Sequence, residues 1–284
     1  MDLRSADIWS RPKTGREAPL PMTAAHTGPC DPDRKFATTL ARGLGVLRAF
    51  RASDRGLTHA EIAARTGLPK PTVSRLTYTL CELGYLAHGG RNERFRLGPA
   101  AVTLGSVAGL SVGFVDRASA QLQALADRTG TLAVIAVRDG ARMLLAKTWR
   151  PKGPSTLWLE PGHRTPVLGS SSGMAVLAAM DRDSFAALDD HGALASFRQQ
   201  GLDQLADRGF AIVPRGQSYT RTVNAVSVPY FAQEFCESVA FTCGASPRDL
   251  TADRMLAEVG PALRDTVCAL QRDAGNACAP VRHR

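Results

Sequence analysis

The sequence predicts an α+β chain of two unequal parts: a small basic helical module closed by a hairpin and a larger antiparallel-sheet domain, joined by a linker helix. Three observations predict it. Positive charge is concentrated, because of the formal +9 (35 Lys+Arg, 26 Asp+Glu) residues 36–98 carry +6, residues 1–35 only +1 and residues 99–284 only +2. Apolar residues within that basic segment recur every three or four positions, the helical period. Beyond Gly130, short alternating runs separated by turn residues give the period of two expected of strands. With 284 residues, 44% of them apolar, each part is long enough to bury its own core. The same composition excludes an acidic disordered chain, a disulfide miniprotein and a collagen-like chain.

Residues 1–35 are rich in Pro, Gly, Thr and charge without periodicity, which reads as a flexible tail. That stretch has no apolar run of signal-peptide length, and the six cysteines form neither a C-x-x-C pair nor a zinc-finger spacing. Reduced thiols and a cytoplasmic location are therefore expected. Phe36, Leu40, Leu44, Leu47 and Phe50 place one apolar stripe on a first helix, and Gly56 breaks the pattern. Thr58, with Glu61 three residues on, forms a capping box that starts a second helix through Ile62, Ala63 and Ala64. Thr66-Gly67-Leu68-Pro69 is a sharp turn. A third helix is entered through Pro71, with Val73, Leu76, Leu80 and Leu83 on its buried side and Gly84 ending it. Ala63 allows close helix approach, Gly67 the turn, and Val73 the locking contact, which is the helix-turn-helix arrangement.

The face left on the third helix carries Lys70, Thr72, Ser74, Arg75 and Tyr78, the short donors, acceptors and cations that read base edges and phosphates in a major groove. Tyr85–His88 and Arg94–Leu97 form a hairpin wing whose tip places Arg91 and Arg94 toward phosphate or the minor groove. The 19 residues from Leu97 to Val115 lack charge and carry Gly105, Gly109 and Gly113 at four-residue spacing. Pro99, the four glycines and three hydroxyl residues weaken a membrane reading, and a close-packing linker helix is expected instead.

In the nearly neutral remainder, a helix over Val115–Arg128 precedes strands at Leu132–Val137 and Met143–Trp149. Further strands are expected at Ser155–Leu159, Thr165–Leu168, Gly209–Val213, Ala225–Val228 and Ser238–Cys243, and helices near Met174–Met180, Ala195–Arg208 and Ala252–Arg272. Gly169-Ser170-Ser171-Ser172-Gly173 satisfies G-x-S-x-G between a strand and a helix. It opens two functional classes. One is a serine hydrolase or esterase using Ser171, although His191 and His283 lack the spacing of a hydrolase core. The other is an anion site formed by backbone N–H groups at a helix N-terminus, with ordinary serine capping as its plain alternative.

Several of these residues resemble the winged-helix domain of IclR-type transcriptional regulators: the run Leu40–Leu47, the turn Gly67-Leu68-Pro69-Lys70 with Thr72–Leu76, and Leu83-Gly84-Tyr85-Leu86. Gly162, Arg164, Pro166, Gly173 and Ala175 resemble that family's effector-domain entry motif, and Gly209-Phe210-Ala211 its next one. The likeness covers about residues 36–275. It implies a tail at 1–35, a winged helix-turn-helix at 36–98, a linker helix at 99–115, a GAF-like antiparallel-sheet sensor at 116–275 and a C-terminal tail at 276–284. It further implies homodimers that pair into tetramers, a palindromic double-stranded DNA operator, a small organic-acid effector, and no cofactor or metal. Effector contacts implied in this numbering are Ser171 and Ser172 through main chain, Asn224, Phe241 and Cys243, with Leu157 and Thr165 as walls. The chain departs from the family in having Leu168, Met174 and Asn224 at three pocket positions and Val213-Pro214-Arg215-Gly216 in place of an acidic run. Arg215 and Arg221 near the pocket predict a different or more acidic ligand, or a loss of ligand control.

Overall fold

A computed structural model describes residues 36–51, 53–89, 94–153, 157–189 and 192–275. The expected tails at 1–35 and 276–284 and the wing-tip Arg91 lie outside the described residues. The first three helices are α1 (Thr38–Arg48), α2 (His59–Thr66) and α3 (Lys70–Glu82). The capping box starts α2 as predicted: Thr58 Oγ1 accepts from the Glu61 amide at 3.3 Å, and the Glu61 carboxylate accepts from the Thr58 amide at 2.8 Å. Gly67 ends α2 at φ +69°, its amide donating to Ala63 at 2.9 Å; a Cβ there would meet the left-handed penalty of roughly 1–2 kcal/mol. Val46, Leu57, Ile62, Val73, Leu80, Leu86 and Phe95 close this core. The wing is the antiparallel pair β1 (Leu86–Ala87) and β2 (Arg96–Leu97).

Two sequence expectations fail here. Leu83 lies one residue beyond α3 and is exposed, while Thr77, held to the Val73 carbonyl, takes a buried place on that helix. On α1 the buried residues are Gly43 and Val46, not the large stripe; Phe36, Leu40 and Leu44 are all at least half exposed. The small side of α1 faces α3, where a Cβ at Gly43 would stand 3.9 Å from Leu76; of the stripe only Leu47 and Phe50 lean on the core, and Phe36, Leu40 and Leu44 are turned away from it.

Helix α4 (Pro99–Ser111) and helix α5 (Gly113–Thr129) replace the single linker helix expected at 99–115. No single helix among the described residues is long and apolar enough to cross a membrane, and Pro99–Gly109 and Gly113–Thr129 are set at 76°. The sheet contains β3 (Leu132–Asp139), β4 (Arg142–Trp149), β5 (Arg164–Pro166), β6 (Ala211–Ile212), β7 (Asn224–Ala232) and β8 (Glu237–Ala245). They pair antiparallel in the order β5-β4-β3-β8-β7-β6. Between β5 and β6 run α6 (Ser171–Ala179), α7 (Arg182–Leu188) and α8 (Ala195–Arg208). After β8, α9 (Ala252–Arg254) continues through a π turn (Met255–Val259) into α10 (Gly260–Asp273). Helix α7 has no counterpart in the sequence reading, and Leu157–Leu159 is not a strand.

The result is three layers. One face of the sheet, through Ala133, Ile135, Val226, Val228 and Phe241, packs on α5 and α10. The other, through Leu132, Val134, Met143 and Leu145, packs on α6 and its neighbours. Cys81, Cys236 and Cys243 are free thiols, but Cys268 is disulfide-bonded, for which the cysteine spacing gives no signal.

Candidate functional site

Two sites emerge, one on each part of the chain. On α3, Lys70, Ser74, Arg75 and Tyr78 are exposed and Thr72 is half-buried. Val73, Thr77 and Leu80 point inward, so the five predicted readers share the outer face of the second helix of the helix-turn-helix. That face has the shape and the donor and acceptor set for a major groove.

Part of the basic charge counted in the sequence is already committed inside the module. Arg65 is bidentate on Asp54 (2.6 and 2.9 Å) and also donates to the Ala49 carbonyl at 2.8 Å. Arg94, expected at the wing tip, instead ties the wing base to α2: its Nη2 reaches Glu61 at 2.5 Å and its Nε the Gly56 carbonyl at 3.0 Å. The capping carboxylate of Glu61 attracts it there, so its first role is structural. We expect Arg75→Ala to remove base discrimination worth about 1–3 kcal/mol per half-site, a good bidentate contact being of that size. Arg94→Ala should lower the melting temperature of the module with little change in base preference. Binding selections from a random duplex pool, run on both variants, check this.

Asp54 also sets a pH dependence. Burial works to raise its pKa, but the Arg65 hydrogen bonds, the Arg51 amide and the nearby guanidinium charges outweigh burial and hold it below its ordinary 3.8. A depressed carboxylate contributes stability that is present above the unfolded value and is lost as pH falls through the folded one. The helical module is therefore expected to lose stability below about pH 4. In Asp54→Asn the same melting series should be flatter in that range.

The second site is a cavity of about 70 Å³ between the sheet and α6. Leu132, Val134, Ala136, Leu145, Leu157, Leu159 and Val213 supply apolar walls, and Ser170, Ser171, Ser172, Thr165, Tyr219, Asn224 and Thr242 supply polar groups. The serine turn is shaped by two close approaches. Gly169 has φ +81°, and Gly173 lies so near the preceding turn that a Cβ would stand 2.1 Å from the Val167 carbonyl oxygen. Ser170 caps α6 by accepting from the Gly173 amide at 3.1 Å. Beyond that cap, the backbone N–H groups of Ser171 and Ser172 have no hydrogen-bond partner among the described residues. Thr165 Oγ1 is likewise buried without a partner. Ser171 Oγ accepts from Ser227 Oγ at 2.9 Å, and Ser227 also pairs with Thr242 at 2.8 Å. The Asn224 amide nitrogen is tied to the Leu250 carbonyl at 2.8 Å.

Five of the seven expected effector residues thus meet on one cavity: Leu157, Thr165, Ser171, Ser172 and Asn224. Phe241 and Cys243 do not. Strand alternation turns them to the opposite face, into the α5/α10 core, and it is Thr242 and Gly244 that face the cavity. Phe241 instead lines a second cavity of about 230 Å³ on that far side, with Phe114, Arg117, Tyr230, Leu270 and Asp273. The Cys243 thiol is fully buried, and burial pushes it up to about 12, so it is no nucleophile. Tyr219 and Ser227 escaped the sequence reading: Tyr219 lines the cavity, and Ser227 is buried behind Ser171 without lining it. Of the two, only Ser227 has a signal in the sequence, a polar residue between Val226 and Val228 in a strand. Arg215 and Arg221 are exposed and absent from the lining, and among the described residues no charged side chain lines it. The expectation of a cationic pocket is therefore corrected to a neutral one.

The same lining removes the support for a Ser171 nucleophile. A serine hydroxyl needs an adjacent base, and among the described residues neither histidine, lysine nor carboxylate lines this cavity; His191 and His283 lie outside those residues.

A winged helix-turn-helix with an outward recognition face, joined to an antiparallel-sheet domain with a small-molecule cavity, defines a DNA-binding transcriptional regulator. The IclR helix-turn-helix domain matches residues 39–89. Over 168 residues the chain is 36% identical to the Pca regulon regulatory protein of Pseudomonas putida, an overlap of 59% of this chain and 56% of that protein. It is 28% identical to the regulator TsaQ1/TsaQ2 of Comamonas testosteroni, over 85% of this chain and 90% of that one. An IclR-family transcriptional regulator from Brucella abortus, solved by crystallography, superposes with a TM-score of 0.73 at 33% identity, covering 90% of this chain and 99% of that one. The chain belongs to the IclR family of transcriptional regulators.

Proposed function

We propose that this regulator binds a palindromic operator as a homodimer, or a dimer of dimers, and that a small monocarboxylate seated at the N-terminus of α6 sets its operator affinity. Residues 36–98 act as the DNA-binding domain, 99–115 as the linker and 116–275 as the effector domain, working in the cytoplasm without catalysis. One observation carries the effector reading: among the described residues, two unpartnered amides at the start of α6 stand beside an unpartnered buried Thr165 hydroxyl in a cavity with no charged wall. A helix N-terminus carries a positive dipole end. It suits one carboxylate, whereas a second anionic group would be desolvated against Leu and Val. Size agrees, since about 70 Å³ has room for about five water-sized groups at roughly 10–15 Å³ each.

The test uses the full chain on an operator recovered by selection from random duplexes, titrated with acetate, pyruvate, benzoate, 4-hydroxybenzoate and succinate. At least one monocarboxylate should shift operator affinity, and succinate should bind more weakly than the best monoacid. Thr165→Val sharpens this. Removing an unsatisfied buried hydroxyl should raise the melting temperature of the ligand-free protein while weakening the acid by about 1 kcal/mol or more; a variant that is both less stable and unchanged in binding would contradict the assignment.

Support for the dimer comes from α4, in which no residue is buried among those described at 99–109. Val102, Leu104 and Val107 are each more than half exposed, as are Phe36, Leu40 and Leu44 on α1. Such an apolar helix is not stable bare in water, and a second copy of the same face covers it.

A further inference from the structure

We propose that Arg164 is the residue through which the effector cavity controls the DNA-binding module, by capping the end of α1 from the other domain. The proposal rests on the reading that the cavity takes the effector. Strand β5 is three residues long and lies at the edge of the sheet, held to β4 through the pairs Leu144↔Arg164 and Met143↔Thr165. Its alternation separates two tasks. Thr165 faces the cavity, with its hydroxyl unpartnered. Arg164, the preceding residue, points the other way and crosses to the helical module, where its Nη1 donates to the backbone carbonyl of Arg48 at 3.0 Å.

Arg48 is the last residue of α1. The final carbonyls of a helix have no partner within it and carry the negative end of its dipole, so a guanidinium there is favourable twice over. Arg65 serves the next carbonyl, Ala49, from inside the module; Arg164 serves Arg48 from outside it. Asp139, at the end of β3, closes the arrangement by pairing with the Arg48 guanidinium and standing 4.0 Å from Arg164 Nη2. Arg164 has one nitrogen, Nε, buried and unpartnered. Burial, and then the charges of Arg48, Arg51, Arg142 and Arg65, hold its pKa below the ordinary guanidinium value. This junction is therefore crowded with like charge and held by one carboxylate and one carbonyl. A contact so balanced responds to a small movement of β5, and an acid that bonds Thr165 Oγ1 pulls on the residue next to it.

The experiment is hydrogen exchange on the full chain, read at the amides of residues 47–51, with and without benzoate or whichever monocarboxylate of the panel binds. It is run on wild type, Arg164→Ala, Arg164→Lys and Asp139→Asn alongside calorimetric acid binding. Without acid, Arg164→Ala should speed exchange at these amides about tenfold, the size of a lost charge-assisted hydrogen bond, and Asp139→Asn by less. With acid, wild type should show a change in exchange there and in operator affinity. Arg164→Ala should bind the acid within about twofold of wild type yet show neither change, and Arg164→Lys should recover part of both. Acid-dependent changes that persist undiminished in Arg164→Ala overturn the proposal, as does unaltered exchange in the ligand-free variant. If no acid of the panel binds wild type, the cavity reading fails on its own, and the ligand-free arm still decides whether Arg164 caps α1.

Discussion

Placing a carboxylate on the bare face of α4, as in Leu104→Asp or Val107→Asp, is expected to convert the regulator to a monomer and to weaken operator binding by a hundredfold or more. Both residues are more than half exposed in the single chain, so neither substitution opens a hole in the chain's own core, and the fold should survive. The cost falls on the proposed dimer interface. A charge at the centre of an apolar patch forfeits burial of roughly 2 kcal/mol per leucine and adds the desolvation of an unpaired carboxylate, twice over by symmetry. A dimer reads two half-sites one helical turn apart, and a monomer reads one, so most of the operator affinity goes with the partner. Sedimentation or light scattering beside an operator titration checks both halves. Leu40→Asp on α1 should act in the same direction, whereas Leu83→Asp, exposed but beyond the end of α3, serves as the control.

Gly173→Ala is expected to have the other large effect, on the effector domain. A methyl group at this position would lie 2.1 Å from the Val167 carbonyl oxygen and 2.7 Å from its Cα, both backbone atoms that have no rotamer to yield. Relief requires α6 to move off the turn that follows β5. Eight of the nine residues of α6 are buried, so that movement disturbs the layer beneath it, and a destabilisation of about 3 kcal/mol or more follows. The free amides of Ser171 and Ser172 move with it, so acid binding should disappear even in the fraction that remains folded. Ser172→Ala, by contrast, removes only a weak contact to Ser170 at 3.4 Å and should be mild in both respects. Thermal melts with acid titration separate the two variants.

Local signals carried much of this architecture. The Thr58–Glu61 capping box, the Gly67 turn, Val73 in the core and the helix Ala195–Arg208 are set by neighbours within a few residues, and each is found where its sequence places it. What failed depended on partners distant in the chain. The stripe on α1 is genuinely amphipathic, but periodicity does not say which body an apolar face meets, and here the small side meets the chain's own core. Strand parity explains Phe241 and Cys243: a shift of one residue transfers a side chain to the opposite face, and only the packing of β8 against β3 and β7 reveals which face looks at α6. Arg94 and Arg65 counted as free charge until Glu61 and Asp54 were seen beside them. Helix α7 is short, and its main signal is Asp181 accepting from the Ser184 amide at 2.8 Å, a cap that in sequence looks like any turn.

In the proposed function, a small monocarboxylate in the α6 cavity sets the affinity of the winged helices for their operator. Fluorescence anisotropy of a selected operator duplex, measured while the acid panel is titrated into wild type and Thr165→Val, tests it most directly. At least one monocarboxylate is expected to change operator affinity about tenfold or more in wild type, coupling energies between sites being typically 1–3 kcal/mol, and Thr165→Val should need several-fold more acid for the same change. An operator affinity indifferent to every acid, or one that responds identically in Thr165→Val, would contradict it.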